Sequence, residues 1–115
     1  MLITCIRHAE SSRETGTLTQ NGVKQALELR KTFKEVPDLV VVSPANRTID
    51  TCRLLFDLPY TVLNCLIENG NVEDFKRWLK TRTEKHIVVV GHSSFLERFI
   101  CIDNVPLCSA ISLNF

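Results

Sequence analysis

Three short stretches of this sequence carry residue types suited to handling an anion. Arg7-His8-Ala9-Glu10 follows at once on the mostly apolar run Leu2–Ile6, in which Ile3, Thr4 and Ile6 are β-branched. Such a run predicts a buried strand. The abrupt change to polar residues puts Arg7, His8 and Glu10 where that strand opens into a loop. Ligands of open α/β sheets bind at the carboxyl ends of strands, so a guanidinium and an imidazole there point to an anionic substrate. Gly91-His92-Ser93-Ser94 repeats the arrangement after Ile87–Val90, the strongest strand signal in the chain. Ser43-Pro44 with Arg47 follows the continuous apolar run Leu39–Val42, which reads as a central parallel strand.

The elements between these clusters must bring them together. Thr19 is a helix N-cap, followed at helical spacing by Val23, Ala26, Leu27, Arg30 and Phe33, and Pro37 closes that helix. Ser43 as N-cap and Pro44 at the first helical position start a second helix, which runs to about Phe56. Tyr60–Leu63 is a short strand, residues 66–71 a loop, and Val72–Thr83 a helix with Val72, Phe75, Trp78 and Leu79 as its buried stripe. After His92, with Ser93 and Ser94 as N-caps, Phe95, Leu96, Phe99 and Ile100 mark another helix. Residues 103–109 are a loop, and Ala110–Phe115 alternates weakly as a candidate edge strand. Strands alternating with helices predict a three-layer α/β/α sandwich. Its mostly parallel central sheet has about five strands, with an antiparallel edge strand as the open option. Right-handed crossovers put the ends of parallel strands along one edge of the sheet, so Arg7, His8, Arg47 and His92 are expected to converge.

The 115 residues suit one domain, spanning 1–115. Hydrophobic residues at 44% and charged residues at 23% are the balance of an ordinary globular protein. A net charge of +1 gives no reason to invoke nucleic acid or a membrane surface. No run approaches a membrane span, and no basic leader with a cleavage site precedes the first strand. The cysteines at 5, 52, 65, 101 and 108 are odd in number, and no two have the spacing of a metal knuckle. Cys5, Cys65 and Cys101 sit in apolar surroundings, where thiols behave as small hydrophobes, with Cys5 expected to point into the core. A reduced, cytoplasmic setting is the simplest expectation.

Four motifs in order resemble the histidine phosphatase superfamily, which includes cofactor-dependent phosphoglycerate mutases and phosphohistidine phosphatases. They are Arg7-His8-Ala9-Glu10-Ser11, Leu18-Thr19-Gln20-Asn21-Gly22 with Gln25-Ala26, Ser43-Pro44-Ala45-Asn46-Arg47-Thr48 with Thr51, and Val89-Val90-Gly91-His92-Ser93. The resemblance implies a phosphoglycerate mutase-like fold, His8 as nucleophile, and Arg7, Arg47 and His92 as the phosphate pocket. Residue chemistry agrees. A phosphomonoester carries nearly two negative charges, and arginine forks match its oxygens bidentately. His8 would attack through a neutral ring nitrogen, its other nitrogen donating to a carbonyl. His92, if protonated, would stabilise the equatorial oxygens. The resemblance also points to Leu66-Ile67-Glu68 as the site of the general acid. That role asks for a carboxyl whose pKa is raised by partial burial, and Glu10 and Glu73 are rivals for it. Ser11 is open between donating to phosphate and satisfying its own loop. No metal or cofactor is called for.

Departures from the family pattern bear on substrate. Ala9 stands where glycine is common, Glu14 where sugar-phosphate members often place an asparagine, and the segment 12–17 is short. No large insertion follows the second helix. An open site is expected, favouring a phosphoprotein or another large phosphorylated substrate over a small sugar phosphate. A phosphatase working through a phosphohistidine intermediate is the leading reading. The alternatives are a phosphohistidine phosphatase without a general acid, since imidazole leaves more easily than alkoxide, and a non-catalytic module that binds phosphorylated ligands. His86 is expected to be a surface residue at the far end of the sheet, and Trp78 part of the core.

Overall fold

The computed structural model describes residues 1–115. Five strands form one sheet: β1 (Leu2–Arg7), β2 (Leu39–Val42), β3 (Thr61–Val62), β4 (His86–Gly91) and β5 (Ala110–Asn114). Their order is β3-β2-β4-β1-β5. Every pairing is parallel except that of β5, which runs antiparallel to β1 along the edge. Four helices connect them: α1 (Gln20–Thr32), α2 (Asn46–Leu55), α3 (Val72–Lys80) and α4 (Ser93–Ile100), with a 3₁₀ turn at Asn64–Leu66. The expected sandwich with an antiparallel edge strand is what forms. No helix is long and apolar enough to cross a membrane.

Strand alternation divides the core into two layers. Ile3, Cys5, Val41, Ile87 and Val89 face Phe75 and Leu79 of α3 and Phe95, Leu96 and Phe99 of α4. Ile6, Val40, Val42, Val88 and Val90 face Cys52 and Leu55 of α2. All six residues of β4 are buried, as the continuous apolar run predicts for a central parallel strand. Phe75 organises the first layer, with its ring centroid 5.1 Å from Phe99, 5.8 Å from Phe95 and 5.9 Å from Trp78.

Several local expectations are corrected. Ser43 does not cap α2, whose N-cap is Ala45 with no side-chain bond. The Ser43 hydroxyl is used elsewhere, and the Thr48 hydroxyl donates to the Ser43 and Ala45 carbonyls at 2.7 and 2.9 Å, closing the first turn from inside. Likewise His92 occupies the N-cap of α4, and neither Ser93 nor Ser94 caps it. α1 ends at Thr32, well before Pro37, because Phe33 turns extended to pack its ring on Phe56. His86 lies at the predicted end of the sheet but is buried, with 9% of its surface exposed. Its Nε2 is 2.8 Å from the Thr4 hydroxyl, which also bonds Ser112 at 2.8 Å. Of the cysteines, Cys5, Cys52 and Cys108 are buried, whereas Cys101 is exposed at the left-handed C-cap of α4. Burial alone pushes the Cys5 thiol up to about 12, so it is inert at neutral pH.

Candidate active site

β1 and β4 are neighbours, paired in register from Leu2↔His86 to Arg7↔Gly91. The ladder continues one step further, His8 N donating to Gly91 O at 2.9 Å. The residues that follow each strand therefore emerge side by side, and the His8 and His92 rings meet edge to face with centroids 5.6 Å apart. β2 lies on the other side of β4, so its C-terminal Ser43 and the start of α2 reach the same place. Arg7, His8, Arg47 and His92 converge as the sequence predicted.

The His8 ring has a fixed tautomer. Its Nδ1 lies 2.7 Å from the Ala9 carbonyl, and since a carbonyl only accepts, Nδ1 carries the hydrogen. Nε2 of the neutral ring then holds the free electron pair. The Ala9 backbone is itself pinned, its N–H donating to the Thr51 hydroxyl at 3.0 Å while that hydroxyl donates to the Arg47 carbonyl at 2.7 Å. Thr51 thus ties the loop after β1 to the first turn of α2. Burial, the largest cause, lowers the His8 pKa below its ordinary value. The Ala9 bond opposes the shift, and the Arg47 and Arg7 charges add to it.

His92 is held from both nitrogens. Nε2 is 2.7 Å from the Ser43 hydroxyl, and Nδ1 faces Arg47 Nη2 at 3.4 Å and Glu68 Oε1 at 3.7 Å. Arginine can only donate, so Nδ1 accepts and Nε2 carries the hydrogen to Ser43. Burial first, then the Arg47 charge and His8, lowers the pKa to about 4. At that value His92 is neutral at pH 7. A donor role for His92 towards an anion requires a second proton, which burial and the neighbouring guanidinium disfavour.

Arg7 donates through Nη1 to the Val105 carbonyl at 2.9 Å. Its Nε is sealed from solvent and has no acceptor. An orphaned buried donor costs about 1–3 kcal/mol. Val105 was not legible from sequence: it lies in the 101–109 connection, which nothing in its composition ties to the site. The Cys108 N–H docks the same connection on the Arg7 and His8 carbonyls at 3.0 and 3.3 Å.

Glu68 reaches the pocket. It pairs with Arg47 and lies within 3.7 Å of His92. The partial burial expected of an acid is not found, since 61% of its side chain is exposed. The rivals stand elsewhere. Glu10 accepts from the Thr19 hydroxyl at 2.8 Å and from Asn21 at 3.1 Å. These bonds, Thr19's first, lower its pKa and hold it ionised. Glu73 pairs with Lys76 one turn along α3. The backbone of Ser11 bridges to Leu18, and its hydroxyl bonds none of the four pocket residues. Between them the loop reverses sharply, with Ser12 N donating to Thr17 O at 2.9 Å, Gly16 at φ 72° and Glu14 exposed. No cluster of histidine, cysteine and carboxylate side chains could hold a metal ion.

The start of α1 is pressed against the loop after His8. A Cβ on Gly22 would meet the Glu10 carbonyl oxygen at 2.1 Å. Alanine gains about 1 kcal/mol of helix propensity over glycine, but here backbone meets backbone and neither can yield by a rotamer change. Gly22→Ala is expected to lose about 1–3 kcal/mol of stability and to lower activity with it, through the displaced His8 loop. Denaturant unfolding and a turnover assay on the same preparation check both effects.

Comparisons with known proteins bear on this arrangement. No curated protein sequence matches the chain. Among solved structures, the protein histidine phosphatase SixA complexed with tungstate superposes with a TM-score of 0.90 at 20% identity, covering 99% of this chain and 88% of that one. A putative alpha-ribazole-5'-P phosphatase from Escherichia coli gives 0.76 at 22% identity, with coverage of 88% and 78%. Mycobacterial glucosyl-3-phosphoglycerate phosphatase in complex with VO3 gives 0.80 at 14% identity, with coverage of 98% and 92%. At such identities these likenesses speak for the fold. The family model described as histidine phosphatase superfamily (branch 1) matches residues 3–78, taking in Arg7, His8, Arg47 and Glu68. His92 lies beyond the matched segment and joins the others through the β1–β4 register. By sequence and by fold, the chain belongs to the histidine phosphatase superfamily.

Proposed function

We propose that the protein is a phosphatase that passes the phosphoryl group through His8 and acts on a phosphorylated residue of a protein or another large substrate. The observation that carries the reading is the His8 ring: Nδ1 is committed to the Ala9 carbonyl, and the Nε2 electron pair is free beside two arginines and a second imidazole. Family membership supports a phosphatase activity. The short 12–17 reversal supports an open entrance. Arg7, whose buried Nε has no acceptor, Arg47 and His92 bind the phosphoryl oxygens. Ser11 is a further candidate for that shell.

His8 Nε2 attacks phosphorus, the P–O bond to the leaving group breaks, and the oxygen takes a proton from Glu68. The dianion draws Arg47 from its pairing with Glu68 and favours a proton on His92 Nδ1, which converts that atom from acceptor to donor. Water then attacks the phosphohistidine, the P–N bond breaks with its electron pair returning to Nε2, and Glu68 recovers a proton. The exposure of Glu68 favours a second reading, in which the substrate is a phosphohistidine whose imidazole departs without this acid.

Rapid acid- or alkali-quenching with a radiolabelled phosphodonor tests the proposal. The expected product is a phosphoenzyme labile in acid and stable in alkali, as a P–N bond requires. Absence of labelled protein together with absence of turnover on aryl phosphates and phosphohistidine peptides would leave a binding module. Comparing an alkyl phosphate with a phosphohistidine peptide separates the two catalytic readings.

A further inference from the structure

The loop that carries Glu68 is fastened to α4 by an unusual concentration of bonds. Arg98 uses all three of its nitrogens on backbone carbonyls: Nη2 on Glu68 at 2.7 Å, Nη1 on Gly70 at 2.8 Å, and Nε on Ser94 of its own helix at 3.1 Å. The Ser94 hydroxyl donates to the same Glu68 carbonyl at 2.8 Å. The guanidinium also lies over the Phe95 ring, 5.6 Å from its centroid. The loop is tightly folded underneath. Gly70 N donates to Ile67 O at 2.8 Å, and a Cβ on Gly70 would meet the Cys65 carbonyl oxygen at 2.0 Å. A helix that starts at Ser93, directly after His92, thus holds the segment whose side chain pairs with Arg47.

We infer that Arg98, with Ser94, is a positioning residue for the reaction: it fixes the Glu68 backbone so that the carboxyl stays beside Arg47 and His92 at the leaving-group side of the pocket. The inference rests on the reading of Glu68 as the acid. The carboxyl is exposed and sits on a loop, so its own packing does not restrain it, and the restraint comes through the main chain. Three of the five N–H groups of Arg98 are already committed to carbonyls. An open hollow of about 580 Å³, lined by Glu68, Asn69, Ser94 and Arg98, borders the clamp and gives a departing group somewhere to go. Planarity matters here. A guanidinium spans three carbonyls, whereas a lysine ammonium is a point donor and cannot hold the same set.

The test is dependence on leaving group. Arg98→Ala is expected to lower kcat on an alkyl phosphate by about 10–100-fold. It should change kcat on an aryl phosphate with a good leaving group by less than about 3-fold, because such an oxygen departs with little help from an acid. KM for both should move little, Arg98→Lys should recover part of the loss, and Ser94→Ala should show a smaller loss of the same kind. In a Glu68→Gln background Arg98→Ala should add nothing, since it acts through that carboxyl. Equal losses on both substrates, no loss on either, or additive losses in the double variant overturn the inference. If Glu68→Gln itself leaves the alkyl phosphate rate unchanged, or if the enzyme turns over phosphohistidine but no ester, the acid reading fails and the positioning role falls with it. If Glu68→Gln is impaired while Arg98→Ala keeps the normal alkyl-to-aryl ratio, the positioning role alone fails. Urea unfolding of each variant shows whether a loss of fold accounts for a loss of rate.

Discussion

His8→Ala is expected to lower turnover by about four to six orders of magnitude and to abolish the acid-labile phosphoenzyme. The fold should survive. His8 is half-buried, and the one side-chain bond it makes is to the carbonyl of the next residue. Its backbone N–H, which extends the β1–β4 ladder to Gly91, is kept in alanine. Arg7, Arg47 and His92 are also kept, so vanadate or tungstate should still bind, which separates loss of the nucleophile from loss of the pocket. A second signature comes with it. His8 is one of the causes that hold the His92 pKa down, behind burial and Arg47, so an NMR titration of His92 should move upward in the variant. Turnover within tenfold of the wild type would remove His8 from the reaction altogether.

Arg47→Ala is expected to cost about 10²–10³-fold in kcat/KM, and Arg47→Lys to restore little of it. Arg47 pairs with Glu68 and faces His92 Nδ1, and in the proposed reaction it also offers the phosphoryl oxygens a planar fork, a combination that a lysine cannot supply. The pH dependence of stability provides an independent check. The His92 pKa in the folded protein is about 4, against an ordinary value of 6.5. Between these values the unfolded chain binds a proton that the folded one refuses. The contribution of His92 to stability is therefore complete above pH 6.5 and is lost as pH falls towards 4. Without Arg47, burial still depresses the pKa but by less, so the acid-side loss should shrink and the His92 titration should rise. A stability profile in urea from pH 4 to 8, run on both proteins, measures the difference. An unchanged slope would mean that Arg47 does not reach His92 electrostatically.

The fold was legible because β-branched runs, breaks and helical spacing agreed with one another along the chain. The convergence of Arg7, His8, Arg47 and His92 followed from topology: residues after parallel strands share an edge of the sheet. Most of what the sequence leaves hidden has one cause, the use of a small polar group by a distant partner in place of a local one. Ser43-Pro44 looks like a helix start, yet the Ser43 hydroxyl goes to His92, 49 residues away. Ser94 looks like a cap, yet it serves Glu68. His86 precedes the fourth strand as a surface residue would, yet the Thr4 hydroxyl, itself bonded to Ser112, satisfies it inside the sheet. The Val105 carbonyl, which holds Arg7, has no side-chain signal at all. Cys101 has a different reason: its neighbours are apolar, but the left-handed turn at φ 58° leaves it exposed.

The β1–β4 register has a consequence for how small such a protein can be. The gap between the two histidines is set by the interstrand repeat of about 4.8 Å, and their matched height by the Arg7↔Gly91 pairing. Both dimensions are set by the strand ends that the two histidines directly follow. A slip of one residue would turn one imidazole to the opposite face of the sheet. The histidine pair thus takes its spacing from the sheet. A segment such as 12–17 can be short without changing the strand pairing that sets this spacing.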